Sequence, residues 1–240
     1  MPVPLDLSDL ESVKKAANTI LTAASTIDLL YLNAGIAATT PKLTAQGYEE
    51  QFGVNYMGHA LFTQMLLPKL LQTAEVHPSQ NVRIVILSSS AHSSAPKAGI
   101  LLDEVKSDMA STGAQTRYGQ SKLAKILFGK KLATLYPSIM TASLHPGVVT
   151  TEIIGKANGL SFLMKTLAGP FMWLLAVTVQ EGAKNQLWAG TAADVKSGEY
   201  YVPIGKLVRG SPRASDAKLQ EELWEWTDEE LKAHGGPGWP

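Results

Sequence analysis

Tyr118 and Lys122 stand four residues apart in the run YGQSK. On a helix this spacing projects both side chains from one face, about a turn apart. An ammonium that close favours phenolate over phenol and draws the tyrosine down from about 10 toward working pH. A tyrosine so placed is a general acid or base. A second set of polar groups ends the apolar run RIVIL, where Ser88, Ser89 and Ser90 follow one another. A hydroxyl there can hold a substrate oxygen while Tyr118 gives or takes the proton, a preorganised electrostatic role. Two further apolar runs close on Asn33-Ala34-Gly35 and on His145-Pro146-Gly147, trios small or polar enough for close approach to a ligand. By itself, a Tyr–Lys pair on an amphipathic helix is an ordinary surface pair, so the chemistry depends on the elements that carry it.

Those elements alternate. Ser8 is a helix N-cap with Glu11 completing a capping box, and Leu10, Val13, Ala17 and Leu21 share one helical face. IDLLYLN reads as a strand buried on both faces, and NVRIVILSSS and IMTASLH as two more. Between and after them come helical runs beginning TAQGYEEQ, TRYGQSK and QEGAKNQ, then the strand GEYYVP and a C-terminal helix around DAKLQEELWEWTDEELKAH. The alternation predicts an α/β fold over residues 1–240 as one domain, a parallel sheet with helices on both faces. In such a sheet ligands sit at the carboxyl ends of the strands, where the three trios lie.

Composition excludes several other chemistries. Lys plus Arg and Asp plus Glu both number 21, leaving no basic surplus for nucleic acid. With no cysteine there is no disulfide, thiolate metal site or cysteine nucleophile. The five histidines, His59, His77, His92, His145 and His234, show no ligand spacing, so no metal is expected. Ser89 and His92 lie close in sequence, but no GxSxG elbow supports acyl transfer. Nothing at the N-terminus targets secretion, and the apolar stretch Gly159–Val179 is broken by Lys165 and Gly169-Pro170 into pieces too short to span a bilayer. It reads as an apolar lid formed by Phe162, Met164, Phe171, Met172 and Trp173, or as a patch touching a membrane surface, in an otherwise cytoplasmic protein. Trp224 and Trp226 flank Glu225 and point different ways from one helix, which suits packing.

Taken together, LNAG, GVNYMGH, RIVILSSSAH, YGQSK and HPGVVTTEI, in this order, resemble the short-chain dehydrogenase/reductases, and within them the retinol-dehydrogenase-like branch and its fungal relatives. The resemblance implies a Rossmann-like doubly wound sheet and NAD(P)(H)-dependent interconversion of an alcohol and a ketone or aldehyde on a small apolar substrate. NADP is favoured over NAD by the branch alone. It implies a tetrad of Asn55, Ser89, Tyr118 and Lys122, in which Ser88 and Ser90 remain alternatives to Ser89. It also implies cofactor contacts from Asp6 and Leu7 at the adenine, Asn33, Ala34 and Gly35 along the adenosine half, Tyr118 and Lys122 at the nicotinamide ribose, and Pro146, Gly147, Val149 and Thr151 beside the nicotinamide.

The chain departs from the pattern at its front. The TGxxxGIG turn that holds pyrophosphate at a helix N-terminus, and the strands around it, are not among the 240 residues. At about 30 residues per βαβ unit, about 60 residues are lacking relative to the family. LDL at the start then reads as the end of a third strand, and STGAQTRYG at 111–119 as loop. The expectations are an N-terminal β-α-β portion missing from the sheet, an open strand edge suited to self-association, and weak cofactor binding. A catalytically inactive form acting through protein–protein contacts is the competing expectation.

Overall fold

The computed structural model describes residues 1–77, 82–147 and 178–240 of the chain. Three apolar runs build its sheet. β1 (Leu29–Leu32), β2 (Arg83–Leu87) and β3 (Met140–Leu144) lie parallel, β4 (Tyr200–Val202) joins them parallel, and β5 (Lys206–Val208) turns back antiparallel to β4. Spatial order follows chain order. Parallel neighbours need long crossovers. Between β1 and β2 the chain passes through α2 (Glu50–Phe52), a π-helical turn (Gly53–Met57) and α3 (Gly58–Val76), and between β2 and β3 through α4 (Ala114–Leu135). Ahead of β1 lies α1 (Leu10–Ala23), ahead of β4 lies α5 (Val179–Thr191), and α6 (Ala217–Ala233) follows β5.

Leu30, Ile84 and Thr141 stand in one register across the sheet, as do Leu32, Ile86 and Ser143. This brings the strand exits at Asn33, Ser88 and His145 to a common edge. The alternation of side chains along a strand sends Leu30, Leu32, Ile84 and Ile86 into a core shared with α1, α3, α4 and α6. Val85, Ala142 and Leu144 enter a smaller core on the other face, with Ala189 of α5. The α/β, two-faced architecture read from the sequence is the one observed. Arg83, buried at the start of β2, donates from one guanidinium nitrogen to the carbonyls of Ala189 and Ala192, so a cation satisfies the C-terminal end of α5.

Several local readings are corrected. The cap of α1 is Asp9, whose carboxylate accepts from the Glu11 N–H; Ser8 is engaged instead with Asp6, its Oγ donating to Oδ1 at 2.7 Å. Residues 2–6 form no strand, and α4 begins at Ala114, so 114–119 of the stretch read as loop are helix. β1 is an edge strand, unpaired on its outer side among the described residues, and Leu29 is 41% exposed. β5 has no counterpart in the sequence reading. Its three residues lie between Gly205 and Gly210, too short for a periodic pattern. The apolar lid residues, with Val149 and Thr151, lie outside the described residues. Among the described residues no helix is long and apolar enough to cross a membrane.

Candidate active site

The close approach of α4 to the turn after β2 creates the site. Ser89 ends the strand exit in extended backbone and caps a 3₁₀ turn (Ser90–Ser94), its Oγ accepting from the Ala91 N–H at 3.2 Å. Gly119, next to Tyr118, presses on that turn: a Cβ there would lie 2.7 Å from the Ala91 carbonyl oxygen and 2.8 Å from the Ala95 nitrogen. Glycine is what permits the contact. It sets Tyr118 beside the turn that Ser89 caps, where the Ser89 side chain opposes the rise of the phenol. Ser88 is otherwise occupied, buried and donating to the Lys122 carbonyl at 2.7 Å. Ser90 is exposed. Of the three hydroxyls, Ser89 is the one that faces Tyr118.

Lys122 lies one turn further along α4, with Nζ 5.4 Å from the centre of the Tyr118 ring, and donates to the Leu87 carbonyl at 3.3 Å. Burial brings this ammonium down to about 8. The expected depression of Tyr118 is not found. Burial raises the phenol, with Ser89 partly opposing it. The reason is an order of titration: by the pH at which a buried phenol ionises, a lysine of pKa about 8 has lost its charge and cannot stabilise the phenolate. At neutral pH the site therefore holds a protonated tyrosine beside a largely protonated lysine.

Asn55 sits in the π-helical turn, fully buried. Such turns occur often at functional sites. Its side chain faces the loop after β1, accepting from the Ile36 N–H at 2.8 Å and donating to the Ile36 carbonyl at 2.9 Å. It also donates to Ser121 Oγ at 2.9 Å, and Ser121 in turn donates to the Tyr118 carbonyl at 2.8 Å. Gly35 fits against this assembly, since a Cβ there would fall 2.7 Å from Asn55 Oδ1 and 3.3 Å from Lys122 Nζ. Gly35, Asn55, Tyr118 and Lys122 are thus brought together, with Ser89 opposite the phenol.

Behind Asn55 the polar interior continues. Lys125 Nζ donates to the Leu32 carbonyl at 2.9 Å and lies 2.9 Å from His59 Nδ1, which is 3.1 Å from the Asn55 carbonyl oxygen. Burial is the main cause holding both well below their ordinary ranges. On the Ser89 side, His92 donates from Nδ1 to the Ser89 carbonyl at 2.7 Å and accepts at Nε2 from the Ser211 N–H at 2.9 Å. Those two bonds assign a neutral ring protonated at Nδ1, in keeping with the downward shift that burial causes.

Of the remaining residues read as cofactor contacts, Asp6, Leu7, Asn33, Ala34, Pro146 and Gly147 are among the described residues. Asn33 and Ala34 are exposed where β1 ends, and Pro146 and Gly147 follow β3, Gly147 with φ of 91°. Asp6 is exposed, but the Leu7 side chain enters the core and its carbonyl presses on Gly58 at the start of α3. Ser121, Gly119, His59 and Lys125 were not singled out from the sequence as site residues. A polar residue repeated at helical spacing, Ser121 after Tyr118 and Lys125 after Lys122, is the signal that could have found them. Among the described residues no cluster has the composition of a metal site.

Comparison with known proteins bears on this arrangement. A family model described as short chain dehydrogenase matches residues 1–100. A short-chain dehydrogenase/reductase of Aspergillus calidoustus is 37% identical over 246 residues, 95% of this chain and 76% of the relative. Retinol dehydrogenase 13 of Mus musculus is 35% identical over 243 residues, 98% of this chain and 70% of the relative. The crystal structure of NADPH-bound carbonyl reductase from chicken fatty liver matches with a TM-score of 0.60 at 25% identity, over 86% of this chain and 75% of that one.

Proposed function

Because the chain belongs to the short-chain dehydrogenase/reductase family, we propose that it interconverts an alcohol and a ketone or aldehyde on a small apolar substrate, with Tyr118 as acid and base. The observation that carries this reading is Tyr118 with Lys122 Nζ 5.4 Å from its ring centre, on a helix packed through Gly119 against the turn that Ser89 caps. In reduction, the protonated Tyr118 hydroxyl donates to the substrate oxygen as that oxygen gains charge. Ser89 holds the same oxygen by hydrogen bond, which favours the charge-bearing transition state. The Lys122 ammonium, about 5 Å from the ring, stabilises the phenolate that remains once the proton has gone. Asn55 touches none of these atoms and fixes the loop against which they are set.

The residues present fit a nicotinamide nucleotide. Of the three N–H groups of Lys122, one is used, in a long bond to Leu87, and the others are free among the described residues to meet ribose hydroxyls. Gly35 supplies a surface without a side chain directly over that ammonium. When bound, the nicotinamide gives or takes the hydride. NADPH in the chicken carbonyl reductase favours NADP(H) here. The test is turnover by the purified chain of an apolar ketone panel with NADPH and with NADH, followed by loss of reduced-nicotinamide absorbance. Turnover faster with NADPH is expected; none with either nucleotide, in either direction, would contradict the assignment.

A second reading draws on β1. Its outer edge and the exposed Leu29 offer backbone groups for another strand. On that reading the chain binds partners and does no chemistry, and sedimentation would show self-association together with no nucleotide binding.

A further inference from the structure

A buried polar network lies beside the site and touches neither Ser89 nor Lys122. Glu49 is fully buried ahead of α2, where Oε2 accepts from the Phe52 N–H at 2.7 Å. Its Oε1 lies 3.2 Å from Nε of the buried Arg117, within ion-pair distance though not aligned as a hydrogen bond. The Arg117 guanidinium spends its other nitrogens on three carbonyls: Met109 at 3.2 Å, Thr112 at 3.0 Å and Thr39 at 2.7 Å. Gln51, also fully buried, accepts from the Ala38 N–H at 2.7 Å and donates to the Ala114 carbonyl at 3.2 Å. These bonds join the loop after β1, the turn into the π-helical segment, and the start of α4.

The order along the loop gives the network its meaning. Ile36 is held by Asn55, Ala38 by Gln51 and Thr39 by Arg117. Ala38 has φ of 51°, a left-handed backbone that a residue with a Cβ adopts only when its surroundings impose it. Arg117 immediately precedes Tyr118, and Gln51 lies one helical turn before Asn55. Without this network, the loop that carries Gly35 would have, among the described residues, only Asn55 to fix it against Lys122.

We propose that Glu49, Gln51 and Arg117 are positioning residues, a rigid frame that holds the Gly35–Thr39 loop in the one conformation that seats Asn55 and Lys122 beside Tyr118. The frame rests on the function proposed above, and it makes a structural claim that is read separately. Gln51→Leu removes the amide at nearly constant volume, and Arg117→Lys keeps the charge but cannot bridge three carbonyls.

Amide hydrogen exchange of the 240-residue chain is the first measurement. Neither variant touches Ile36, yet both are expected to speed exchange at Ile36 and Ala38 about tenfold or more, the effect of local opening. In the ketone reaction each is expected to lower kcat by about 10- to 100-fold with KM little changed, as misplacement of reacting groups does. A purely structural role would lower the melting temperature and leave kcat of the folded enzyme intact. Ile36 exchange equal to that of the parent in both variants would overturn the frame, and if Gln51→Leu does not fold, Arg117→Lys decides. Tyr118→Phe separates the two claims: its retained turnover would count against the function, whatever Ile36 does, whereas its inactivity, together with parental Ile36 exchange in both Gln51→Leu and Arg117→Lys, would remove the frame alone.

Discussion

At the scale of single residues, two adjacent serines have opposite duties. Ser88→Ala takes a buried hydroxyl from the Lys122 carbonyl and is expected to cost about 1–2 kcal/mol of stability with kcat little altered. Ser89→Ala removes the group facing Tyr118 and is expected to lower kcat with little change in the melting temperature; denaturation curves and steady-state kinetics on the pair read both effects. Lys122 gives a pH signature. Its folded pKa of about 8 lies below the ordinary 10.5, so between those values the unfolded chain holds a proton that the folded chain has released. Stability attributable to Lys122 therefore rises with pH across that window, by about 3 kcal/mol. Buried Lys125 adds a rise of the same sign. Urea denaturation of Lys122→Met across the window is expected to show a shallower rise, and an unchanged slope would show that Lys122 is not held down by burial. The types and spacing of Tyr118 and Lys122 were legible in the sequence, whereas Asn55 entered only through the family resemblance. The direction of the Tyr118 shift was not legible, because it depends on how deeply the pair is buried, which spacing does not report.

At the scale of elements, the site depends on how closely α4 meets the turn after β2. Gly119→Ala places a methyl among three backbone atoms less than 3 Å away, none of them the end of a flexible side chain. The helix must retreat. A loss of about 1–3 kcal/mol is expected, with a fall in kcat as Tyr118 leaves Ser89; a variant as stable and active as the parent would show that the contact is loose. The long apolar runs at β2, β3 and α3 were legible, since burial on both sides leaves a continuous signal. What escaped was local. Ser8 and Asp9 are both good caps, and a contact with Asp6 that no pattern encodes decides between them. Glu49, Gln51 and Arg117 show no pattern that marks them as buried, lie more than 60 positions apart at their extremes, and only the fold gives them partners.

For the whole molecule, the sheet is asymmetric. One edge ends in the short antiparallel β5 and the other in the parallel β1, each without an outer neighbour among the described residues. An unpaired parallel edge invites pairing with another chain. Association that grows with concentration is expected, and Leu29→Lys, which sets a charge on that edge, should reduce it in sedimentation velocity. Family membership and the two-faced sheet agree with the sequence motifs because both rest on the same strand exits at Asn33, Ser88 and His145. The central claim is that Tyr118 is the proton donor to the substrate oxygen, and general acid catalysis of this kind contributes about 10²- to 10⁴-fold. It is tested most directly by comparing NADPH-dependent ketone reduction by Tyr118→Phe and by the parent at matched folded concentration. A loss of about 100-fold or more in kcat with nucleotide binding retained is the predicted result, and turnover at the parental rate would contradict the account.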